Sequence, residues 1–192
     1  MKNEFLNVLK SYELKYFYHF SNISNLESIL VNGICNRKYM DTNNIKYVCS
    51  DYKRFDNQLN CVSLSLNNIY KSMFWSKSNT LVNDWVLFEL DAYKIIERFN
   101  GSIYYCKYNA SSNSVIKMLE TNKEYLKSLS AFKNIFENGR TSVNAELLVE
   151  GIIPVDFVLN IYVSSLQLKL IVMQLLYERG LNIPVIIKRE MF

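Results

Sequence analysis

The strongest candidate for chemistry is Glu146, which lies near the start of an alternating stretch, VNAELLVEGIIP at 143–154. Apolar residues recur there at every second position, which is the period of a half-buried strand, and Gly151 and Pro154 end it. A carboxylate held on a rigid strand beside the polar loop ENGRTSVN is well placed to stabilise positive charge that develops on a substrate. The same pattern also fits a solvated glutamate on an exposed strand face, because isolated surface acids are common.

His19 is the only histidine of the chain, so any chemistry that needs an imidazole must use it. For the same reason the sequence excludes a metal site built from several histidines. The sequence predicts a strand over residues 15–20, then a sharp turn and a capped helix at 24–32. His19 and Ser21 would then lie near a helix N-terminus, whose N–H groups can meet an anion or a carbonyl group. The competing interpretation is a hydrogen-bonded structural histidine.

The composition is that of an ordinary folded protein, with 192 residues of which 49% are hydrophobic and 21% charged, and we expect one domain over 1–192. The net charge of +4 permits a polyanionic partner without demanding one. Four spaced cysteines without a CxxC pair, and an N-terminus without a signal-peptide core, predict a cytoplasmic protein with reduced thiols. The longest apolar run, at 166–177, is too short to cross a bilayer. No Walker loop, GxGxxG turn or HExxH motif occurs.

The elements that must position these residues alternate irregularly, which predicts an α+β fold rather than a doubly wound sheet. Further strands are predicted at 61–66, 85–90, 102–107, 158–163 and 183–188. Helices are predicted at 3–13, 24–32, 125–136 and 166–179, with another ending at Leu119. Ser24 and Glu27 predict a capping box for the second of these helices, and Gly33 ends it. Residues 36–60 are polar and irregular, a length that indicates either function or mobility.

Five segments, taken in this order, resemble the DarT family of ADP-ribosyltransferases, toxins that transfer ADP-ribose from NAD to bases in nucleic acid. They are YHFSNISNLESILVNGI at 18–34, RFDNQLNCVSLSLNNIYKSMFW at 54–75, WVLFELD at 85–91, YYCKYNAS at 104–111 and AELLVEGIIPVDFVLNIYV at 145–163. Together they cover most of the chain. Each motif is short, but five in register are hard to obtain by chance.

The resemblance implies an ADP-ribosyltransferase fold, a split and mostly antiparallel sheet with flanking helices around an NAD cleft. It implies that Glu146 is the catalytic glutamate and that Arg54 matches an arginine assigned to catalysis. The positions that would contact NAD are His19, Phe20, Ser21, Ser28, Asn36, Arg54, Ser65 and Met73. The chain departs from the family at two positions near the nicotinamide or the acceptor: Asn144 stands where Gln is common, and Ser65 where some members carry Tyr.

The implied chemistry agrees with these residues. Breaking the glycosidic bond of NAD builds positive charge on the ribose, as in glycoside hydrolysis, and Glu146 can stabilise that charge through a ribose hydroxyl. Nicotinamide leaves without needing an acid, whereas the attacking nitrogen of the acceptor base must lose a proton. Because an arginine is a fixed cation, we expect Arg54 to bind phosphate or position the base rather than accept that proton.

The expected partners are NAD as co-substrate, single-stranded DNA or RNA as acceptor, and an antitoxin protein, with no metal and no membrane. Cations and aromatic rings interleave along 36–60, a pattern that suits splayed bases and their phosphates, although it also fits a solvated loop. Candidate nucleic-acid contacts are Lys38, Lys53, Arg140 and Asn144. We therefore expect the toxin of a toxin–antitoxin or phage-defence system. Two alternatives stay open: an ADP-ribosyltransferase that modifies a protein side chain, and a non-catalytic module that binds NAD or nucleic acid.

Overall fold

The strands form one sheet. The computed structural model describes residues 2–49, 58–66, 85–99, 101–106, 116–117, 129–130, 132–134 and 145–192. Its strands are β1 (Tyr16–Asn22), β2 (Cys61–Ser65), β3 (Trp85–Asp91), β4 (Ile103–Cys106), β5 (Ile116–Lys117), β6 (Glu146–Glu150), β7 (Val158–Val163) and β8 (Val185–Ile187). Their order is β5-β4-β6-β2-β1-β3-β7-β8, and every neighbouring pair is antiparallel except β7 and β8.

Helices pack on this sheet and connect its strands. They are α1 (Lys2–Ser11), α2 (Leu26–Asn32), α3 (Arg37–Thr42), α4 (Ala92–Arg98) and α5 (Leu166–Glu178). Single 3-10 turns occur at Ile23–Asn25, Val155–Phe157 and Arg189–Met191. None of the helices in the described part of the chain has the length and apolar character needed to cross a membrane.

The sheet is divided between β1 and β2. β1 pairs with β3 along its whole length, from Tyr16 opposite Asp91 to Asn22 opposite Trp85. Among the described residues, β1 and β2 share one register pair, Tyr18 opposite Ser65. The backbone pairing between the two halves of the sheet is therefore limited, in the described part of the chain, to this one register pair. The predicted α+β fold with a split, mostly antiparallel sheet is confirmed.

One face of both halves carries the main hydrophobic core. Side chains alternate across each strand, so every second residue points to this face. Large, completely buried members come from the two halves of the sheet and from α1 and α2, among them Tyr105, Phe5, Phe17, Phe88, Leu9, Leu26 and Leu64. Burying one such side chain contributes roughly 1.5–3 kcal/mol. A core shared by both halves holds them together although their backbone pairing is limited.

Local structure differs from the sequence prediction at three places. The predicted capping box is wrong: Asn22 begins the 3-10 turn, and its Oδ1 accepts from the Ser24 N–H at 3.0 Å and from Ser24 Oγ at 2.7 Å. α3 forms inside the segment expected to be irregular, because Asn36 caps it without any apolar periodicity. Ile116–Lys117 is an edge strand paired with β4 rather than the end of a helix, since cross-strand pairing outweighs local propensity.

A buried carboxylate lies on the opposite face of β3 from the main core. Glu89 is 4% exposed. Its Oε1 accepts hydrogen bonds from the hydroxyls of Tyr18 at 3.0 Å and Tyr162 at 3.2 Å, and its Oε2 accepts one from Asn160 Nδ2. Burial and then the charge of Glu89 raise the pKa of Tyr162 to about 12 and hold the pKa of Tyr18 well above its ordinary value of 10.

These tyrosines predict a loss of stability in alkali. Burial also raises the pKa of Tyr105, so three tyrosines keep their protons in the folded state at a pH where the unfolded chain has lost them. Their contribution is complete below about pH 10 and is lost as the pH rises toward their folded pKa values, by up to about 1.4 kcal/mol per pH unit for each. Urea unfolding between pH 8 and pH 12 should show this decline in the free energy of unfolding.

Two phenylalanine variants separate this effect from general alkaline damage. Tyr162→Phe should make the decline shallower, because one of the protonated groups is gone. Tyr177→Phe is the matched control. Tyr177 is 87% exposed, so its substitution should leave the slope of unfolding free energy against pH as in the wild type. Equal slopes in all three proteins would contradict the assignment.

Candidate active site

A row of polar side chains crosses the junction between the two halves of the sheet. Tyr18 on β1 lies opposite Ser65 on β2, Ser65 lies opposite Glu146 on β6, and Glu146 lies opposite Cys106 on β4. Directly opposed residues of antiparallel strands point to the same face, so these four side chains share one face of the sheet. Two strand spacings of about 4.8 Å place the backbones of Tyr18 and Glu146 about 10 Å apart.

Glu146 is held at the boundary between the sheet and the solvent. It is partly exposed, whereas its strand neighbours Ala145 and Leu147 point to the other face and are buried in the core. Pairing with β2 on one side and with β4 on the other fixes its backbone. A carboxylate in this setting keeps its position while remaining accessible, which is what charge stabilisation requires.

His19 bridges the two halves just beyond their register pair. Its Nδ1 lies 3.0 Å from the carbonyl oxygen of Ser63 on β2. A carbonyl oxygen only accepts hydrogen bonds, so Nδ1 carries the hydrogen, and in the neutral ring Nε2 is then the acceptor. The ring also stands 6.4 Å from that of Phe88 and 6.5 Å from that of Phe20. The bond to Ser63 gives His19 a structural role at the junction, and any contact with NAD would be additional.

Phe20 and Ser21 follow His19 along β1. Phe20 is partly exposed, and its ring meets that of Trp85 edge-on at 5.6 Å. Ser21 is 8% exposed, and its Oγ accepts a hydrogen bond from Asn25 Nδ2 at 3.0 Å. Ser65 lies between Tyr18 and Glu146, so the structure brings Ser65 and Glu146 together on one face of the junction, and Phe20 follows Tyr18 on that face of β1. His19 and Ser21 alternate to the face of the main core, where they lie opposite Phe88 and Val86.

Ser28 and Asn36 already form hydrogen bonds within the protein. Ser28 Oγ, on α2, accepts from Asn32 Nδ2 at 3.3 Å. Asn36 is buried, and its Oδ1 caps α3 by accepting from the Tyr39 N–H at 2.9 Å, while its Nδ2 donates to the Gly151 carbonyl at 3.0 Å. Asn36 therefore ties the start of α3 to the end of β6, and any contact with NAD would be additional.

Five of the predicted site residues lie outside the described residues: Lys53, Arg54, Met73, Arg140 and Asn144. Lys38 is exposed on α3. Within the described segments, His, Cys, Asp and Glu side chains do not gather in groups of three that could hold a metal ion.

Sequence reasoning did not find Tyr18, Asn25 or Glu89. Glu89 left a signal, because it interrupts a strand, WVLFELD, that is otherwise buried up to Leu90. A charged residue in a buried strand needs partners, and Tyr18 is one of them. Asn25 left no signal, since its partners lie elsewhere in the chain.

The split sheet with Glu146 and His19 at its junction agrees with the ADP-ribosyltransferase that the resemblance implies. The family model described as "ssDNA thymidine ADP-ribosyltransferase, DarT" matches residues 18–192, and the chain belongs to this family. The family predicted from the five segments, and the enzyme class that it implies, are confirmed.

Solved structures of the family have the same fold. Thermus sp. 2.9 DarT in complex with ADP-ribosylated ssDNA matches with a TM-score of 0.71 at 14% identity, over 94% of this chain and 97% of that chain. The same protein in complex with NAD+ matches with a TM-score of 0.66 at 13% identity, over 94% and 98%. Thermosipho africanus DarTG in complex with ADP-ribose matches with a TM-score of 0.64 at 18% identity, over 93% of this chain. This chain spans about half, 51%, of that Thermosipho chain. No curated protein matches the sequence.

Proposed function

We propose that this chain transfers the ADP-ribosyl group of NAD to a thymidine base in single-stranded DNA. The family model over residues 18–192 supports this most directly. The Thermus relative, whose structures contain NAD+ and ADP-ribosylated ssDNA, shares the fold over nearly its whole length. We further propose that residues 1–192 act as one domain, in the cytoplasm, as the toxin that an antitoxin protein restrains; the name DarTG of the Thermosipho relative supports the toxin–antitoxin pairing.

The polar groups at the junction fit the parts of NAD. When NAD is bound, breaking the bond between nicotinamide and ribose builds positive charge on the ribose. Glu146 accepts a hydrogen bond from a ribose hydroxyl and stabilises that charge. His19 Nε2 accepts from a second hydroxyl, while Nδ1 keeps the ring fixed on Ser63. The Ser21 hydroxyl donates to the carboxamide of nicotinamide.

The remaining predicted residues are proposed to act on the phosphates and the acceptor. Arg54 neutralises phosphate or positions the base, and Met73 lines the cofactor wall. Lys38 on α3 is an exposed cation beside Tyr39, itself 37% exposed, and this pairing suits a phosphate and a stacked base. Lys53, Arg140 and Asn144 are the other proposed DNA contacts. The acceptor base loses a proton to Glu146 or to solvent as its nitrogen attacks.

The proposed acceptor is tested by incubating the protein with labelled NAD and four separate acceptors. These are single-stranded DNA with thymidine, the same strand without thymidine, RNA, and a protein extract. We expect label on the first strand alone. Label on RNA or on protein would show that the acceptor is RNA or protein and not thymidine in single-stranded DNA. NAD binding without transfer to any of the four would favour a non-catalytic binding module.

Two substitutions at His19 separate its two nitrogens. His19→Asn keeps an amide donor in reach of Ser63 O and lacks the acceptor at Nε2, whereas His19→Ala lacks both. We expect both variants to lose about tenfold in NAD affinity, the size of one hydrogen bond, with the melting temperature lowered mainly in His19→Ala. Calorimetry with NAD and thermal unfolding measure the two effects. Normal NAD affinity in His19→Asn would show that Nε2 does not bind NAD, and His19 would keep only its structural role.

A further inference from the structure

The side-chain amide of Asn25 joins two separate parts of the chain. Its Oδ1 accepts from the Val48 N–H at 2.8 Å, and its Nδ2 donates to the Val48 carbonyl at 2.8 Å. The same Nδ2 donates to Ser21 Oγ at 3.0 Å. The two bonds to Val48 resemble the pair of N–H···O bonds that two opposed residues of antiparallel strands exchange. One amide thus holds the segment around Val48 against the end of β1.

Helix capping does not explain this arrangement. Asn25 occupies the N-cap position of α2, where an asparagine usually accepts a hydrogen bond from the first turn. Here its backbone is already helical, with φ −86° and ψ −11°, and its side chain makes no such bond. Asn22 provides the cap for the preceding 3-10 turn instead. The amide of Asn25 is therefore committed to Val48 and Ser21.

The bond to Ser21 sets the direction of a hydroxyl at the proposed NAD site. Because Ser21 Oγ accepts the amide hydrogen, its own hydrogen turns away from Asn25 and can be donated to a ligand. Ser21 is buried, so its side chain has few other orientations. An aspartate at position 25 could not orient the Ser21 hydroxyl in this way, because an ionised carboxylate has no hydrogen to donate to Ser21 Oγ.

The bonds to Val48 place the irregular segment 45–49 beside the same site. Val48 is 40% exposed, and residues 45–49 form neither helix nor strand. Their start is fixed to α3, because the Ile45 N–H donates to the Met40 carbonyl at 2.9 Å and the Tyr47 hydroxyl donates to Asp41 at 3.0 Å. Asn25 holds the other end of this segment.

We propose that Asn25 is a positioning residue for NAD: it orients the Ser21 hydroxyl and holds residues 45–49 against β1, so that both are in place before NAD binds. This inference rests on the proposed function. Asn25 itself touches neither the reacting atoms nor the leaving group. Substituting Asn25 should therefore lower NAD affinity first. Without its side chain, NAD binding must order the Ser21 hydroxyl and residues 45–49, and that ordering costs free energy.

The experiment uses Asn25→Asp and Asn25→Ala in the full chain. Asn25→Asp keeps the shape and the acceptor for the Val48 N–H, and places an oxygen where the amide donated. Asn25→Ala removes all three hydrogen bonds without adding charge. We expect the Kd for NAD, measured by calorimetry without DNA, to rise by about tenfold or more in both variants. Amide hydrogen exchange of residues 45–49 should become faster, whereas exchange of β3 should not change.

Gln174→Ala is the matched control. Gln174 lies on α5, which carries none of the predicted site residues, and its amide bonds locally, to the carboxylate of Glu178 at 3.0 Å. We expect its NAD affinity and its exchange at 45–49 to stay within about twofold of the wild type, because this bond lies on an exposed surface.

Two results would overturn the proposal. The first is unchanged exchange at 45–49 in both Asn25 variants, which would show that the segment is held by other contacts. The second is faster exchange with an unchanged Kd for NAD, which would show that the tether has no bearing on binding. A wild-type protein that neither binds NAD nor labels DNA would instead refute the proposed function, and the exchange measurement would still report on the tether.

Discussion

Replacing Glu146 by Gln is expected to lower the rate of ADP-ribosyl transfer by at least ~100-fold, the size of effect seen when one transition-state stabiliser is removed. Gln keeps the shape and the hydrogen-bonding oxygen but removes the negative charge. Because Glu146 is partly exposed and paired through its backbone to β2 and β4, the substitution should leave the fold intact. NAD affinity should also be retained, since the charge matters only as positive charge builds on the ribose. Single-turnover labelling of single-stranded DNA measures the rate.

Glu150→Gln provides the control on the same strand and the same face. Glu150 accepts hydrogen bonds from Asn60 Nδ2 at 2.9 Å and from the Tyr104 hydroxyl at 3.4 Å, and it lies opposite Cys61, four residues along β6 from Glu146. We expect transfer close to the wild-type rate in this variant. Wild-type turnover in Glu146→Gln would remove Glu146 from catalysis. A similar loss in both variants would mean that any change of charge on this strand lowers the transfer rate, and that Glu146 has no specific role.

All strands except β5 were predictable, because their signals are local. The alternation of CVSLS places Val62 and Leu64 on one face, and the structure buries both in the core. The apolar run at 85–90, interrupted by Glu89, predicted a buried strand, and β3 lies inside the sheet with neighbours on both sides. Asp91 directly follows that run and is a residue type favoured as a helix cap, and its Oδ1 accepts from the N–H groups of Tyr93 and Lys94 at the start of α4.

The organisation of the site was not readable from the sequence, because it depends on which distant segments meet. The junction pairs Tyr18 with Ser65, and nothing local to either residue specifies the other. The tautomer of His19 follows from the carbonyl of Ser63, which lies 44 residues further along the chain. Family resemblance named Ser65 and Glu146 among the site residues, and the sheet register places these two opposite each other.

Replacing Gly33 by Ala is expected to lower the free energy of unfolding by about 3 kcal/mol or more, the sum of left-handed strain and a steric clash. Gly33 ends α2 with φ +83°, a region that disfavours side chains. A Cβ there would lie 2.6 Å from the carbonyl oxygen of Ile153 and 2.9 Å from Ile152 Cγ2. That carbonyl cannot easily retreat, because it accepts from the Ile34 N–H at 2.9 Å while the Ile153 N–H donates back at 3.0 Å. Urea unfolding measures the loss.

Gly180→Ala separates the clash from the backbone strain. Gly180 follows α5 with φ +64°, so an alanine there also carries a left-handed penalty, but apart from the chain neighbours no described atom lies within 4 Å of the added Cβ. We expect a loss of about 1 kcal/mol for this variant, from strain alone. For a domain of this size, the difference corresponds to roughly 4–8 °C in melting temperature. Equal losses in the two variants would show that Ile152 and Ile153 move aside, and that the contact between the end of α2 and the chain after β6 is looser than the distances indicate.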